Sequence, residues 1–308
     1  MADFAARAGI PVGASFRRAQ LFPADHPNFA GDLGIGLNPK LAARVKEADV
    51  LLLVGGRMSE TPSVAYTLID IPTPKQTLVH VHPGAEELGR VYQPALAIQA
   101  SPIAFAARLS SLETSGRGNA EEAATAHADY LAWSDKPRTL PGQFQYGDVM
   151  CWLRERLPAD AILCNGAGNY AGWIHRFFRF TRFATQLAPT SGSMGYGVPA
   201  AVMAKRQQPD KIVIAFAGDG CFLMNGQEFA TAVQFDIPVV IVLIDNGMYG
   251  TIRMHQENHY PARVSATDLK NPDFAALARA YGGHGGRGGT TEQFAPPFER
   301  ALASGKPP

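Results

Sequence analysis

"IAFAGDGCFLMNGQEFATAVQFDIPVVIVLIDNGMYG", residues 214–250, holds two apolar runs that each break off at a polar reversal. The first, Ile212–Ala217, ends at Gly218-Asp219-Gly220, and the second, Val239–Ile244, ends at Asp245-Asn246. Short β-branched runs of this kind read as buried parallel strands, and the helical pattern Gly226–Phe235 between them reads as the crossover. In a parallel sheet both reversals fall on the carboxyl edge, where doubly wound folds bind ligands. If the strands are neighbours, Asp219 and Asn246 converge on one small volume. A carboxylate, an amide oxygen and a backbone carbonyl suit a hard divalent cation such as Mg²⁺, which usually shares such ligands with phosphate oxygens. Gly218 and Gly220 allow unusual backbone angles and close approach to those phosphates. Either reversal alone reads as an ordinary turn; it is their pairing that suggests a cation. Asn225-x-x-Glu228 matches a capping box, which makes Glu228 structural.

The same alternation extends outward in both directions. Downstream of position 145, Tyr146–Leu157 reads as a helix, Ala161–Cys164 as a strand and Tyr170–Phe178 as a helix. A helix from about Tyr196 to Gln207 precedes the quoted stretch, and helices Pro272–Tyr281 and Phe294–Ala303 follow it. "GGHGGRGG" (282–289) has no strand before it and reads as a flexible connection rather than a phosphate cradle. In the first half, a helix over Asp3–Ala8 is followed by apolar runs at Ile10–Ser15, Val50–Gly55, Thr77–Val81 and Leu96–Ala100, predicted as one doubly wound sheet. Pro39–Ala48 is helical, with Leu41, Ala42, Val45 and Ala48 on one face. "ETSGRGNAEEAATAH", from Glu113, is small, polar and charged, and reads as an interdomain linker. The expected division is a first domain over 1–113, a linker over 114–144 and a second domain over 145–308. The fold class is α/β, with two doubly wound parallel-sheet domains.

With 308 residues, 46% hydrophobic and 18% charged, the chain has the composition of a soluble α/β protein. A net charge of +1 with no basic run gives no reason to expect nucleic acid or a membrane surface as partner. Cys151, Cys164 and Cys221 have neither metal-ligand spacing nor an even disulfide set, which fits a reducing, cytoplasmic setting. The helix opening the chain and the strandless "ERALASGKPP" closing it read as the ends of a piece of a longer protein.

GDG followed after 24 residues by an Asn-bearing pair resembles the thiamine-diphosphate fingerprint. The passage 218–256 is similar to the diphosphate-binding domain of the acetolactate synthase-like enzymes, a family that includes benzoylformate and pyruvate decarboxylases. "TSGSMGYGVPAA" (190–201) resembles the family's pyrimidine-contact loop. "LFPADHPNFAGDLGIGLNP" and "ADVLLLVGGRMSE" resemble its Rossmann-like central domain. The resemblance covers nearly all of the chain. It implies thiamine diphosphate and Mg²⁺ as cofactors, with Asp219, Asn246 and the Met248 carbonyl as metal ligands. It also implies Gly218, Gly220 and Cys221 along the diphosphate, and the Gly192 carbonyl and Met194 amide on the aminopyrimidine. Met194 would prop the cofactor in a bend that brings its 4′-amino group against the thiazolium C2. The implied activity is a lyase or carboligase acting on 2-oxo acids, in a homodimer or homotetramer.

Some positions depart from the family pattern. Asp245-Asn246 stands where many relatives have Asn-Asn, which adds a negative charge beside the expected ligand. Thr251 and His255 replace the methionine and tryptophan of acetohydroxyacid synthases, making a more polar substrate pocket. His255 and His259 lie i, i+4 but lack the glutamate of a zinc protease helix. "HVHPG", with His80 and His82, replaces an acid-rich turn of flavin-binding relatives, so FAD is not expected. Gly55, Gly56 and Arg57 are read as a turn. No residue matches the family's proton-relay glutamate, which belongs to an N-terminal pyrimidine domain; this chain alone is therefore expected to be inactive and is assigned no catalytic residue. The alternatives are a benzoylformate decarboxylase-like enzyme, an acyl-CoA lyase, or a non-catalytic scaffold. A nicotinamide-dependent dehydrogenase lacks GxGxxG after the first strand.

Overall fold

The computed structural model describes residues 1–114 and 118–305, in two units, Met1–Trp133 and Ser134–Pro308. The first unit runs α1 (Ala2–Ala8), β1 (Val12–Ala14), β2 (Phe29–Asp32), α2 (Pro39–Glu47), β3 (Val50–Val54), β4 (Thr77–His82), β5 (Leu96–Gln99), α3 (Pro102–Ser110) and α4 (Ala120–Trp133). The second continues with α5 (Tyr146–Arg156), β6 (Ile162–Asn165), α6 (Asn169–Phe177), β7 (Gln186–Leu187), α7 (Gly197–Gln207), β8 (Val213–Gly218), α8 (Asp219–Asn225), α9 (Glu228–Gln234), β9 (Val240–Ile244), α10 (Gly250–His259), α11 (Phe274–Ala280) and α12 (Ala295–Ala303). Among the described residues no helix is long and apolar enough to cross a membrane.

Among the described residues the pairings between strands β1–β9 are all parallel, as the alternation of strands and helices predicts. The first unit nevertheless departs from the single sheet expected. β1 pairs with β2, which has no counterpart among the predicted strands, and β3, β4 and β5 form a separate three-stranded sheet. "NFAGD" escapes a periodicity reading because Gly31, at φ 111, interrupts an already short run.

The expected linker is corrected as well. Residues 115–117 lie outside the described residues, but 120–133 form α4, a helix of the first unit. Its Ala123, Ala126 and Tyr130 are buried, and Tyr130 meets Phe29 of β2 edge-on at 4.8 Å between ring centroids. Small alanines, which make the segment look like a linker in composition, are what let this helix lie close against the sheet. Its polar side is tied down by ion pairs of Asp129 with Lys40 and Arg44 and of Glu122 with Arg44.

In the second unit the strand order is β7-β6-β8-β9. β6 and β8 are apolar and buried almost throughout because helices cover both faces of the sheet. Ile162, Cys164, Val213, Ala215 and Ala217 face Val198, Ala201 and Val202 of α7 in one core cluster. The predicted helix Gly226–Phe235 is present as α9, but it is preceded by an unexpected helix, α8, which begins at Asp219 directly after β8, and one further local expectation fails. The capping box does not form: Gln227 occupies the N-cap of α9, Asn225 donates to the Gly195 carbonyl at 3.0 Å, and Glu228 accepts from the Thr231 hydroxyl at 2.9 Å.

Candidate functional site

β8 and β9 are hydrogen-bonded neighbours with Gly218 opposite Ile244, so Asp219 and Asp245 leave the sheet at the same level. Asp219 is 3% exposed. One carboxylate oxygen accepts from the Gly220 N–H at 2.9 Å, and the other accepts from Asn271 Nδ2 at 2.7 Å. That same Nδ2 donates to Asp245 Oδ1, also at 2.7 Å, so the two carboxylate oxygens lie within twice that distance of each other. Two unit charges about 5 Å apart at an effective dielectric near 20 repel by roughly 3 kcal/mol, so the arrangement needs a positive or hydrogen-bond-donating group between them.

Beyond β9 the chain makes a pair of Asx turns, with Asp245 Oδ1 accepting from Gly247 N–H at 3.2 Å and Asn246 Oδ1 from Met248 N–H at 3.3 Å. The Met248 carbonyl accepts from Gly250 N–H at 2.9 Å. Residues 267–269 return antiparallel along this loop: Leu269 N–H donates to the Gly247 carbonyl and Tyr249 N–H to the Thr267 carbonyl, both at 2.8 Å. Tyr249 lies under the start of α8 so closely that a Cβ on Gly220 would stand 2.5 Å from its ring, so only glycine fits there.

Loop 190–195 meets the same edge. Gly195, at φ 79, donates its N–H to Cys221 Sγ at 3.1 Å, and its carbonyl accepts from Asn225. Two bonds therefore fasten this loop to α8. Gly192 is also left-handed, at φ 74, and donates to the Pro189 carbonyl at 3.0 Å. Met194 is half-buried beside it. Cys221 is buried, and its sulfur also accepts from the Tyr170 hydroxyl at 3.3 Å. Only its backbone N–H is left to offer a ligand. Tyr170 in turn accepts from Gly166 N–H at 3.0 Å, and burial pushes its phenol far above the usual range.

On α10, the Thr251 hydroxyl donates to Asn169 Oδ1 at 2.9 Å. His255 is exposed and stacks on His259, with ring centroids 5.9 Å apart. In the first unit His80 turns inward, 4% exposed, with Nε2 2.9 Å from the Gly56 carbonyl, and burial holds it below the usual imidazole range. Gly55, at φ 70, makes the turn expected of it. His82 Nδ1 accepts from the Gly84 N–H at 3.1 Å.

The tertiary structure thus gathers Asp219, Asp245 and the 190–195 loop at one sheet edge, with Asn246 and Met248 in the adjoining loop. Sequence reasoning missed Asn271. No spacing from GDG or DN points to it, and the local signal, Asn-Pro-Asp, announces only the start of α11, which Asp273 caps. Among the described residues no group of three or more His, Cys, Asp or Glu can hold a metal. The oxygens these two turns carry are those of Asp219, Asn246 and the Met248 carbonyl. Few, hard and all oxygen, this donor set fits Mg²⁺ completed by phosphate oxygens rather than a protein-only cage.

Known proteins match the chain in both units. The family model of the thiamine pyrophosphate enzyme C-terminal TPP binding domain matches residues 166–308, and that of the thiamine pyrophosphate enzyme central domain matches residues 1–109. The acetolactate synthase large subunit of Corynebacterium glutamicum is 31% identical over 97% of this chain and 49% of its own length. Sulfoacetaldehyde acetyltransferase of Alcaligenes xylosoxydans is 28% identical over 97% of this chain and 55% of its own. A solved structure, the thiamine diphosphate-dependent 4-hydroxybenzoylformate decarboxylase of Rhodococcus jostii RHA1, superposes with a TM-score of 0.80 at 25% identity, covering 99% of this chain and 56% of that one. The chain therefore spans about half the length of the relatives it matches. Matched over most of its length by two domain models of one family, the chain belongs to the thiamine pyrophosphate enzymes and carries their central and C-terminal thiamine pyrophosphate-binding domains.

Proposed function

We propose that this chain is the cofactor-holding part of a thiamine-diphosphate- and Mg²⁺-dependent lyase or carboligase acting on 2-oxo acids, similar to acetolactate synthase. The observation that carries the reading is the register of β8 and β9, which sets the GDG and DN reversals side by side at the carboxyl edge. Asp219, Asn246 and the Met248 carbonyl would hold Mg²⁺, and the Gly218–Gly220 backbone and the Cys221 N–H would meet the diphosphate. Gly192 and Met194, on a loop fastened to α8, would hold and bend the aminopyrimidine end. When bound, the cofactor supplies the carbon nucleophile and the electron sink for loss of CO₂. The protein's own contribution is anchoring, shape and exclusion of water. Thr251 and His255 lie on the helix after the metal loop and would face the substrate.

A decarboxylase of the benzoylformate type is the second reading. It is favoured by the polar Thr251–Asn169 pair and by the likeness to the Rhodococcus enzyme. In either reading the proton-relay glutamate comes from outside these residues, the working enzyme is a cytoplasmic homodimer or homotetramer, and this chain alone does not turn over. Calorimetric titration of thiamine diphosphate tests the proposal. Heat that requires Mg²⁺ and disappears in Asp219→Ala is expected; heat independent of Mg²⁺, or none, would leave the scaffold reading in its place.

A further inference from the structure

We propose that Asn271 is a positioning residue of the cation site, acting through Asp245 and Asp219. Its amide is the bridge that lets both carboxylates occupy one sheet edge while leaving Asp245 out of the metal's coordination. The inference rests on the cofactor reading above and extends it to a residue which that reading does not use.

Asn271 Nδ2 has two hydrogens and two carboxylate acceptors, each at 2.7 Å. The amide cannot be turned the other way, because its oxygen would then face two negative groups at hydrogen-bond distance. Its own Oδ1 is buried without a partner. The residue is delivered by the strand-like return of 267–269 along 247–249, and it is followed by Pro272 and the Asp273 cap of α11. Its place is therefore set by the loop that also carries Asn246 and Met248. Asp245 is exposed at the rim of the site. Without the Asn271 amide only the Gly247 N–H, at 3.2 Å, would hold the Asp245 carboxylate, which could then swing toward a cation beside Asp219 and displace an amide or phosphate ligand. Partners of metal ligands typically alter metal affinity by about 10–100-fold when removed.

The test is calorimetric titration of thiamine diphosphate with MgCl₂ into the wild-type chain, Asn271→Ala, Asp245→Asn and the double variant. Asn271→Ala is expected to weaken Mg²⁺-dependent binding by about tenfold. Asp245→Asn removes the competing charge, so it should bind close to wild type, and the double variant should recover most of the loss. Equal binding by Asn271→Ala and wild type would overturn the proposal, as would a double variant as weak as Asn271→Ala. Should Asn271→Ala fail to fold, a cooperative thermal transition restored by Asp245→Asn supports the charge argument and its absence refutes it. Wild type without Mg²⁺-dependent heat overturns the cofactor reading itself, an outcome separate from these.

Discussion

Tyr170→Phe removes one oxygen and changes little else, which makes it a clean probe of how the site is anchored. The hydroxyl accepts from Gly166 N–H at 3.0 Å and donates to Cys221 Sγ at 3.3 Å, in a buried spot where the same sulfur accepts from Gly195 N–H. Phenylalanine fills the same space, so no cavity is created. Gly166 N–H is left buried and unpaired, a penalty of about 1–3 kcal/mol, and loss of the weaker bond to sulfur adds a little more. The expected cost to the second unit is about 2 kcal/mol, or roughly 4–8 °C in melting temperature for a unit of this size. Urea unfolding followed by tryptophan fluorescence measures it: the midpoint should fall with an unchanged slope. A change below about 0.5 kcal/mol, within the range of an ordinary surface substitution, would refute the view that this buried chain of bonds holds β6, α8 and the 190–195 loop together.

Gly166→Ala attacks the same chain by bulk, since its new Cβ would overlap Cys221 Sγ and crowd the Tyr170 hydroxyl at 3.1 Å. It should destabilise the second unit by about 1–3 kcal/mol, with partial relief from Cys221→Ala in a double-mutant cycle; additive losses in that cycle would contradict the overlap. In the first unit, burial pushes the Asp32 carboxyl up to about 7, with a backbone hydrogen bond partly opposing the shift. A carboxyl raised above its unfolded value, near 4, contributes fully below that pH, and the contribution is lost as pH rises toward 7. Asp32→Asn cannot ionise, so its melting temperature relative to wild type should climb across that window and then level off. A difference that stays constant with pH would show that Asp32 is already ionised in the fold.

By itself the sequence determined the class of the protein and the pair of reversals at its site. Val213–Gly218 and Val240–Ile244 are unbroken apolar runs, and burial on both faces of a parallel sheet requires that pattern, so it is legible in a window of a few residues. GDG and DN are legible because the small glycines and the oxygen donors are properties of the residues in place, but the unusual backbone angles expected of the glycines do not occur: Gly218 has an ordinary φ of −74 and Gly220 lies in α8, where the missing Cβ makes room for Tyr249. Tertiary structure alone decided what those reversals meet. Asn271 reaches Asp219 across 52 residues and Asp245 across 26, and no local propensity encodes such contacts. The alanines of 120–133 could equally line a mobile tether or a close-packed helix, and only the presence of Phe29 and β2 made them the latter. Cys221 was legible as the residue that follows the GDG turn, but the direction of its thiol, inward to Tyr170 and Gly195, was set by neighbours from two other segments. Backbone propensity acts over a few residues; hydrogen bonds that satisfy buried polar groups are made with whatever the packed chain brings near.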